Sequence, residues 1–183
     1  KGNKEAYNED LLDRFEHGEL VSIDSVHLDS SKVYRTLRKG RTVYGGGGVM
    51  PDIFVPLDTT QLTKFYIALR RNNLINDHAL KFIDQNRSKI RAAYPTVEQF
   101  MTTYEVPQTL IDSLLAEAKR KKLEAKDDAE LQATLTDLRW ALKSLIIYDI
   151  WDRNEYFQFI NQRNDIVNRA LQELGVATDK KKP

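Results

Sequence analysis

The sequence predicts a mainly α-helical protein in which a C-terminal helical bundle is preceded by a short β-rich segment with a glycine-rich turn. Two observations predict this fold class. From Asp58 onward, almost every segment carries apolar residues at helical spacing. Before Pro56, short apolar runs alternate with polar residues and lead into a run of glycines. We therefore expect a β-rich part at residues 1–58, a helical domain at residues 59–177 and a frayed tail at residues 178–183.

The composition fits a folded globular protein, because 41% of the 183 residues are hydrophobic and 30% are charged. The formal net charge of +1 gives no field that would favour nucleic acid, so no nucleic-acid partner is predicted. No apolar run approaches the ~20 residues that a membrane-spanning helix needs. Without cysteine, disulfides and thiolate metal sites are excluded. His17, His27 and His78 lack ligand spacing, so we predict no metal site.

The β-rich part begins with a short predicted helix over Lys4 to His17, where apolar residues recur at helical spacing. Glu19 to Asp29 alternates like a strand, with a break at Asp24 that indicates a bulge or a bend. Two further short strands are predicted at Lys32 to Leu37 and at Arg41 to Tyr44, with a turn between them.

The glycine-rich turn follows the last of these strands. It contains four consecutive glycines: Gly45, Gly46, Gly47 and Gly48. Without Cβ atoms, this backbone can reach positive φ and lie close against another backbone. Pro51 then forces an extended step, and Asp52 can brace the corner through its side-chain oxygens. A last short strand is predicted at Ile53 to Val55, before Pro56.

The helical domain shows start signals along its length. Asp58 or Thr59 can cap the first helix, and Asn76 or Asp77 can begin the second. A capping box beginning at Thr96 opens a short third helix.

Three more helices are predicted after it. Pro107 suits the first turn of the next one, and a long helix runs from about Asp127 to Trp151. Asn154 can cap a last helix that ends at Gly175.

The long predicted helix is apolar on two sides. One stripe consists of leucines, and the second contains Trp140, Ile147 and Trp151. Such a helix is usually enclosed by several neighbours, but it can instead bury one face in the bundle and one against another domain. Trp140, Ile147 and Trp151 are therefore candidate interaction residues, with core packing as the alternative.

The residues around the glycine run form a longer motif: Tyr34, Thr36, Gly40, Arg41, Val43, Tyr44, Gly45 to Gly48, Pro51, Asp52, Val55 and Pro56. This motif resembles the carboxy-terminal processing peptidases, also called tail-specific proteases, and most of all their members from Bacteroides-type bacteria. In these serine peptidases a glycine-rich segment leads into Pro-Asp and a short apolar strand near the end of the protease core. The resemblance is confined to roughly Tyr34 to Asp58.

The resemblance implies an enzyme of the periplasm or cell envelope that cleaves proteins near their C-termini, without metal or organic cofactor. Its serine nucleophile and lysine base lie upstream of the glycine run, beside a peptide-binding PDZ domain. Because the chain opens at Lys1 with neither, we expect it to be the C-terminal part of such a peptidase and inactive alone. Protein or peptide substrates would bind through the missing protease and PDZ regions.

In this interpretation the helical domain serves self-association into a homo-oligomer, adaptor binding or control of access to the active site. The residues offer no dyad of their own, because Ser31 and Lys32 are adjacent and would point to opposite faces of a strand. The alternative function is a free-standing, non-catalytic helical protein-interaction module.

Overall fold

The computed structural model describes residues 16–18, 22–25, 33–45, 51–56 and 62–175. The chain divides into two compact units, residues 1–59 and 60–183. Most of the predicted helix over Lys4 to His17, the glycines Gly46, Gly47 and Gly48, and the predicted tail at residues 178–183 lie outside the described residues.

A β-hairpin is the regular element of the first unit. Strand β1 (Val33–Arg35) pairs antiparallel with β2 (Thr42–Tyr44), so both strands predicted here are confirmed. The turn closes through Thr36, whose N–H donates to the Arg41 carbonyl and whose hydroxyl accepts from the Arg41 N–H, both at 3.0 Å. Gly40 has φ +60°, a conformation that side chains with a Cβ rarely adopt, which explains a glycine at this position.

The predicted break at Asp24 coincides with a turn of 3-10 helix at Ile23–Ser25, where the Ser22 hydroxyl accepts from the Asp24 N–H at 3.2 Å. Most of the predicted strand Glu19 to Asp29 lies outside the described residues. The strand predicted at Ile53 to Val55 is wrong. Pro51 lies two residues before this run and Pro56 follows it directly, and no described strand pairs with it.

The second unit is helical, which confirms the mainly α fold with a helical bundle. Residues 62–175 form seven α-helices: α1 (Lys64–Arg71), α2 (Leu74–Ala93), α3 (Val97–Thr103), α4 (Gln108–Arg120), α5 (Asp128–Ile150), α6 (Arg153–Ile160) and α7 (Asp165–Glu173). A 3-10 turn at Asn161–Arg163 separates the last two. Among the described residues, no helix is both long and apolar enough to span a membrane.

The core of the helical unit forms around α5. This helix packs against α1, α2 and α6, while α2 also packs on α4. Its fully buried residues lie on more than one side: Leu138, Leu142, Ile146, Ile147 and Ile150. Of the two arrangements left open for a helix apolar on two sides, the structure shows enclosure by neighbours of the same unit.

Two helix starts are confirmed. The Thr96 hydroxyl accepts from the Gln99 N–H at 3.3 Å, and the Asp127 carboxylate accepts from the Glu130 N–H at 2.8 Å. Pro107 is the N-cap of α4, one position before the first turn in which it was predicted.

Four other predicted boundaries differ. Thr63 caps α1, four or more residues after the predicted caps. Helix α2 begins at Leu74 because Asn73, in a left-handed conformation at φ 59°, ends the preceding turn. The predicted last helix is two helices, because the Asn164 side chain accepts from the Ile166 and Val167 N–H groups and starts α7 anew. Asp152 rather than Asn154 caps α6.

Polar contacts join the N-terminus of α1 to the N-terminus of α5. The hydroxyls of Thr63 and Thr134 lie 2.6 Å apart, and Thr134 is fully buried. The Glu130 carboxylate accepts from the Phe65 N–H at 3.2 Å and from the Lys126 N–H at 2.7 Å. The Lys126 N–H and, to a smaller extent, the Phe65 N–H hold the pKa of Glu130 below its ordinary value.

We predict that Glu130→Gln destabilises the helical unit at neutral pH and that the difference from the parent chain shrinks in acid. A lowered carboxyl pKa stabilises the fold fully above the ordinary pKa of glutamate, and this stabilisation is lost as the pH falls through the folded-state pKa. Thermal unfolding at neutral pH and near pH ~3 measures both effects. The exposed Glu124→Gln is the matched control, and an equal loss in the two variants would contradict the prediction.

A second prediction concerns the end of α4, where Lys122 lies in the left-handed region at φ 59°. The Leu123 N–H donates to the Ala118 carbonyl and the Lys122 N–H to the Lys119 carbonyl, which is a Schellman motif. Lys122→Gly should raise the free energy of unfolding by up to about 1 kcal/mol, because glycine removes the left-handed strain. Lys121→Gly, at a right-handed position, should instead lower it by up to about 1 kcal/mol. Urea unfolding distinguishes the two signs.

Candidate functional site

An open groove of about 810 Å³ lies in the helical unit. Three segments form its walls: residues 101–108 from the last turn of α3 to the start of α4, residues 136–143 of α5, and residues 159–163 from the end of α6 through the 3-10 turn. The groove is therefore built from parts of the chain that are far apart in sequence and meet only in the fold.

Lys143 fastens one wall of the groove to the central helix. Its ammonium group donates to the carbonyls of Met101 and Tyr104, at 2.8 Å each. These carbonyls lie at the C-terminal end of α3, where the helix dipole favours a cation. Burial lowers the pKa of Lys143, and the nearby Glu105 carboxylate opposes this shift. Lys143 of α5 thus caps the C-terminus of α3.

Stacked aromatic rings form another part of the wall. The rings of Trp140 and Phe159 are nearly parallel, with their centroids 3.9 Å apart. The Arg163 guanidinium lies 4.1 Å from the Trp140 ring centroid and 3.6 Å from the Asp137 carboxylate. Trp140 is only half-buried, so this stack presents apolar surface to the groove.

The groove carries more positive than negative side chains. Arg139, Lys143 and Arg163 line it, with Glu105 as the acidic lining residue. Arg139 donates to the Gln108 side-chain oxygen at 2.8 Å, and no described carboxylate forms an ion pair with it. Its charge is therefore less compensated than that of Arg163.

An aromatic cluster supports the groove from the α3 side. Tyr104 stacks on Phe100 at 4.2 Å, and Tyr94 meets both rings edge-on. Trp151 lies 4.9 Å from Phe100. Burial raises the pKa of Tyr104, and its hydroxyl has no hydrogen-bond partner among the described residues. These rings fix the position of Tyr104, which lines the groove.

The three candidate interaction residues on α5 therefore have different positions. Trp140 lies in the groove wall, half-buried and stacked on Phe159. Trp151 is also half-buried, but it packs against the core through Phe100. Ile147 is fully buried, so it contributes to the core and does not reach a partner surface in this structure.

The candidate residues of the glycine turn are described only in part. Gly45 is partly buried and directly follows β2, while Pro51 and Asp52 are exposed. The Asp52 carboxylate lies 3.5 Å from the Arg41 guanidinium, with both side chains largely in water. Such an exposed pair stabilises a turn only weakly. The described residues contain no cluster of His, Asp or Glu side chains that could hold a metal ion.

The sequence patterns did not single out Arg139, Lys143 or Arg163 as site residues. A weak signal was present, because Arg139 and Lys143 are four residues apart on α5 and flank Trp140. Their common partner surface, residues 101–108, could not be inferred from that spacing alone.

Comparison with known proteins adds one match. A family of unknown function, DUF8443, matches residues 65–152, which cover α1 to α5 within the helical unit. No curated protein and no solved structure gives a significant match to the chain.

We predict that Lys143→Met lowers the free energy of unfolding by about 1–3 kcal/mol, because the carbonyls of Met101 and Tyr104 lose a charged donor. Urea unfolding followed by tryptophan fluorescence provides the measurement. Lys89→Met, at an exposed position of α2, is the matched control and should change the stability by less than about 0.5 kcal/mol. Equal effects of the two substitutions would contradict the capping role of Lys143.

Proposed function

We propose that this chain is the C-terminal part of a tail-specific serine peptidase of the cell envelope, and that its helical unit is a non-catalytic protein-binding part. The observation that carries the proposal is the motif from Tyr34 to Pro56, with its glycine run. The parent enzyme would supply the serine nucleophile, the lysine base and the PDZ domain. This chain would supply the end of the protease core and the helical unit.

The hairpin supports this proposal because several residues of the motif have structural roles in it. Tyr34 pairs with Val43 across the two strands. Thr36 and Arg41 close the turn by hydrogen bonds, and Gly40 provides its positive φ. In the structure, motif residues 34–44 form part of a tight hairpin that ends where the glycine run begins in the sequence.

The groove supports a protein-binding role for the helical unit. It combines half-buried aromatic surface at Trp140 with cationic side chains, a composition typical of protein interfaces. Adaptor or substrate binding is therefore the role that we favour over self-association or control of access.

The second candidate is a free-standing helical interaction module. Its support is that the family match lies entirely within the helical unit, which also has its own hydrophobic core. Under this alternative, the groove keeps its binding role and the peptidase assignment is dropped.

The peptidase assignment makes a prediction about the gene and the enzyme. The coding sequence upstream of Lys1 should contain a peptidase serine and a glycine-lysine motif. The full-length parent should hydrolyse a fluorescently labelled unfolded protein, and replacing that serine by alanine should abolish hydrolysis. The isolated 183-residue chain should leave the same substrate intact. An upstream region without these residues, or hydrolysis by the isolated chain, would contradict the assignment and favour the module.

A further inference from the structure

We propose that the groove between residues 101–108, α5 and residues 159–163 binds an extended acidic segment of another protein, anchored by one apolar side chain. This inference rests on the protein-binding role proposed for the helical unit and names the chemical class of its partner. It is independent of the peptidase assignment, because all of the groove lies within residues 62–175.

The charges of the groove favour an acidic partner. Arg139 has a neutral hydrogen-bond partner, Gln108, and no ion pair with a described carboxylate. An incoming carboxylate could therefore accept from Arg139 without displacing an existing ion pair. Arg163 has an acidic neighbour in Asp137, but at 3.6 Å this contact is loose and leaves guanidinium donors for a ligand.

The aromatic stack provides the apolar anchor site. Trp140 stacks on Phe159, with the ring centroids 3.9 Å apart, and the Arg163 guanidinium lies 4.1 Å from the Trp140 centroid. Trp140 is nevertheless only half-buried, and a ring fixed in this way loses little conformational entropy when a ligand side chain packs against its accessible part. A leucine or phenylalanine of the partner, flanked by acidic residues, matches an aromatic surface flanked by arginines.

The wall opposite α5 is held in place before any ligand binds. Lys143 of α5 donates to the carbonyls of Met101 and Tyr104, so the donors of its ammonium group are used within the fold. Arg139 and Arg163 are then the side chains that recognise the ligand, because fewer of their N–H donors are used within the fold. This division gives a preorganised groove with two available cations.

The same charges disfavour a nucleic acid as the partner. Glu105 lines the groove and Asp137 lies beside Arg163, so acidic groups interrupt the basic ones. A phosphate backbone needs a continuous stripe of cations, and the chain has a net charge of only +1.

The test uses the complete 183-residue chain and two short, end-blocked, fluorescein-labelled peptides. Both contain one central phenylalanine. One carries aspartate and glutamate on either side, and the other carries asparagine and glutamine at the same positions. Fluorescence anisotropy should show that the acidic peptide binds at least about fivefold more tightly, with an affinity that falls as salt is added. Amide chemical shifts should change mainly in residues 101–108, 136–143 and 159–163.

Three substitutions locate the binding site. Arg139→Gln and Arg163→Gln should each weaken binding of the acidic peptide about fivefold or more, while circular dichroism confirms the fold. Arg71→Gln removes the same charge at an exposed position outside the groove and should leave the affinity unchanged. Equal binding of the two peptides overturns the proposal, and so does the absence of measurable binding. Tighter binding of a single-stranded oligonucleotide through the same arginines also overturns it. None of these results depends on whether the parent protein is a peptidase.

Discussion

The enclosure of α5 is the constraint on which the helical unit depends. Leu138, Leu142 and Ile146 are fully buried, and so are Ile147 and Ile150 on the same helix. A helix with apolar residues on so many sides can be stable in water only when neighbours cover it from several directions. The positions of α1, α2 and α6 follow from this need, because each of them packs directly against α5.

Polar contacts then fix the ends of α5 within that packing. At its N-terminus, Glu130 accepts from the Phe65 N–H and thus aligns the start of α1 with the start of α5. At its C-terminus, Arg87 and Arg91 of α2 donate to the carbonyls of Asp149 and Ile150. A carboxylate near helix N-termini and cations near a helix C-terminus both complement the helix dipole. The apolar core decides which helices pack together, and these polar contacts align the ends of the helices with one another.

Local signals in the sequence were enough to predict part of this fold. Thr96 and Asp127 cap their helices as predicted, because a side chain that bonds a backbone N–H two or three residues on needs no tertiary partner. The break at Asn164 was missed, because the apolar period continues through it. The run Ile53 to Val55 has strand propensity but no described pairing partner, and propensity alone does not make a strand. Some short-range caps could therefore be predicted, whereas pairing between distant segments could not.

The same holds for the candidate site, because the sequence pattern could not tell which apolar residues of α5 line the groove. Trp140 and Ile147 belong to one predicted stripe, yet Trp140 lies in the groove wall and Ile147 in the core. Seven residues on a helix return to nearly the same face, so the stripe itself cannot distinguish the two positions. What distinguishes them is the neighbour: Phe159, near the end of α6, and Arg163, in the 3-10 turn after it, cover Trp140 only in part. Trp140 therefore stays half-buried beside these two side chains, whereas Ile147 is enclosed by the core.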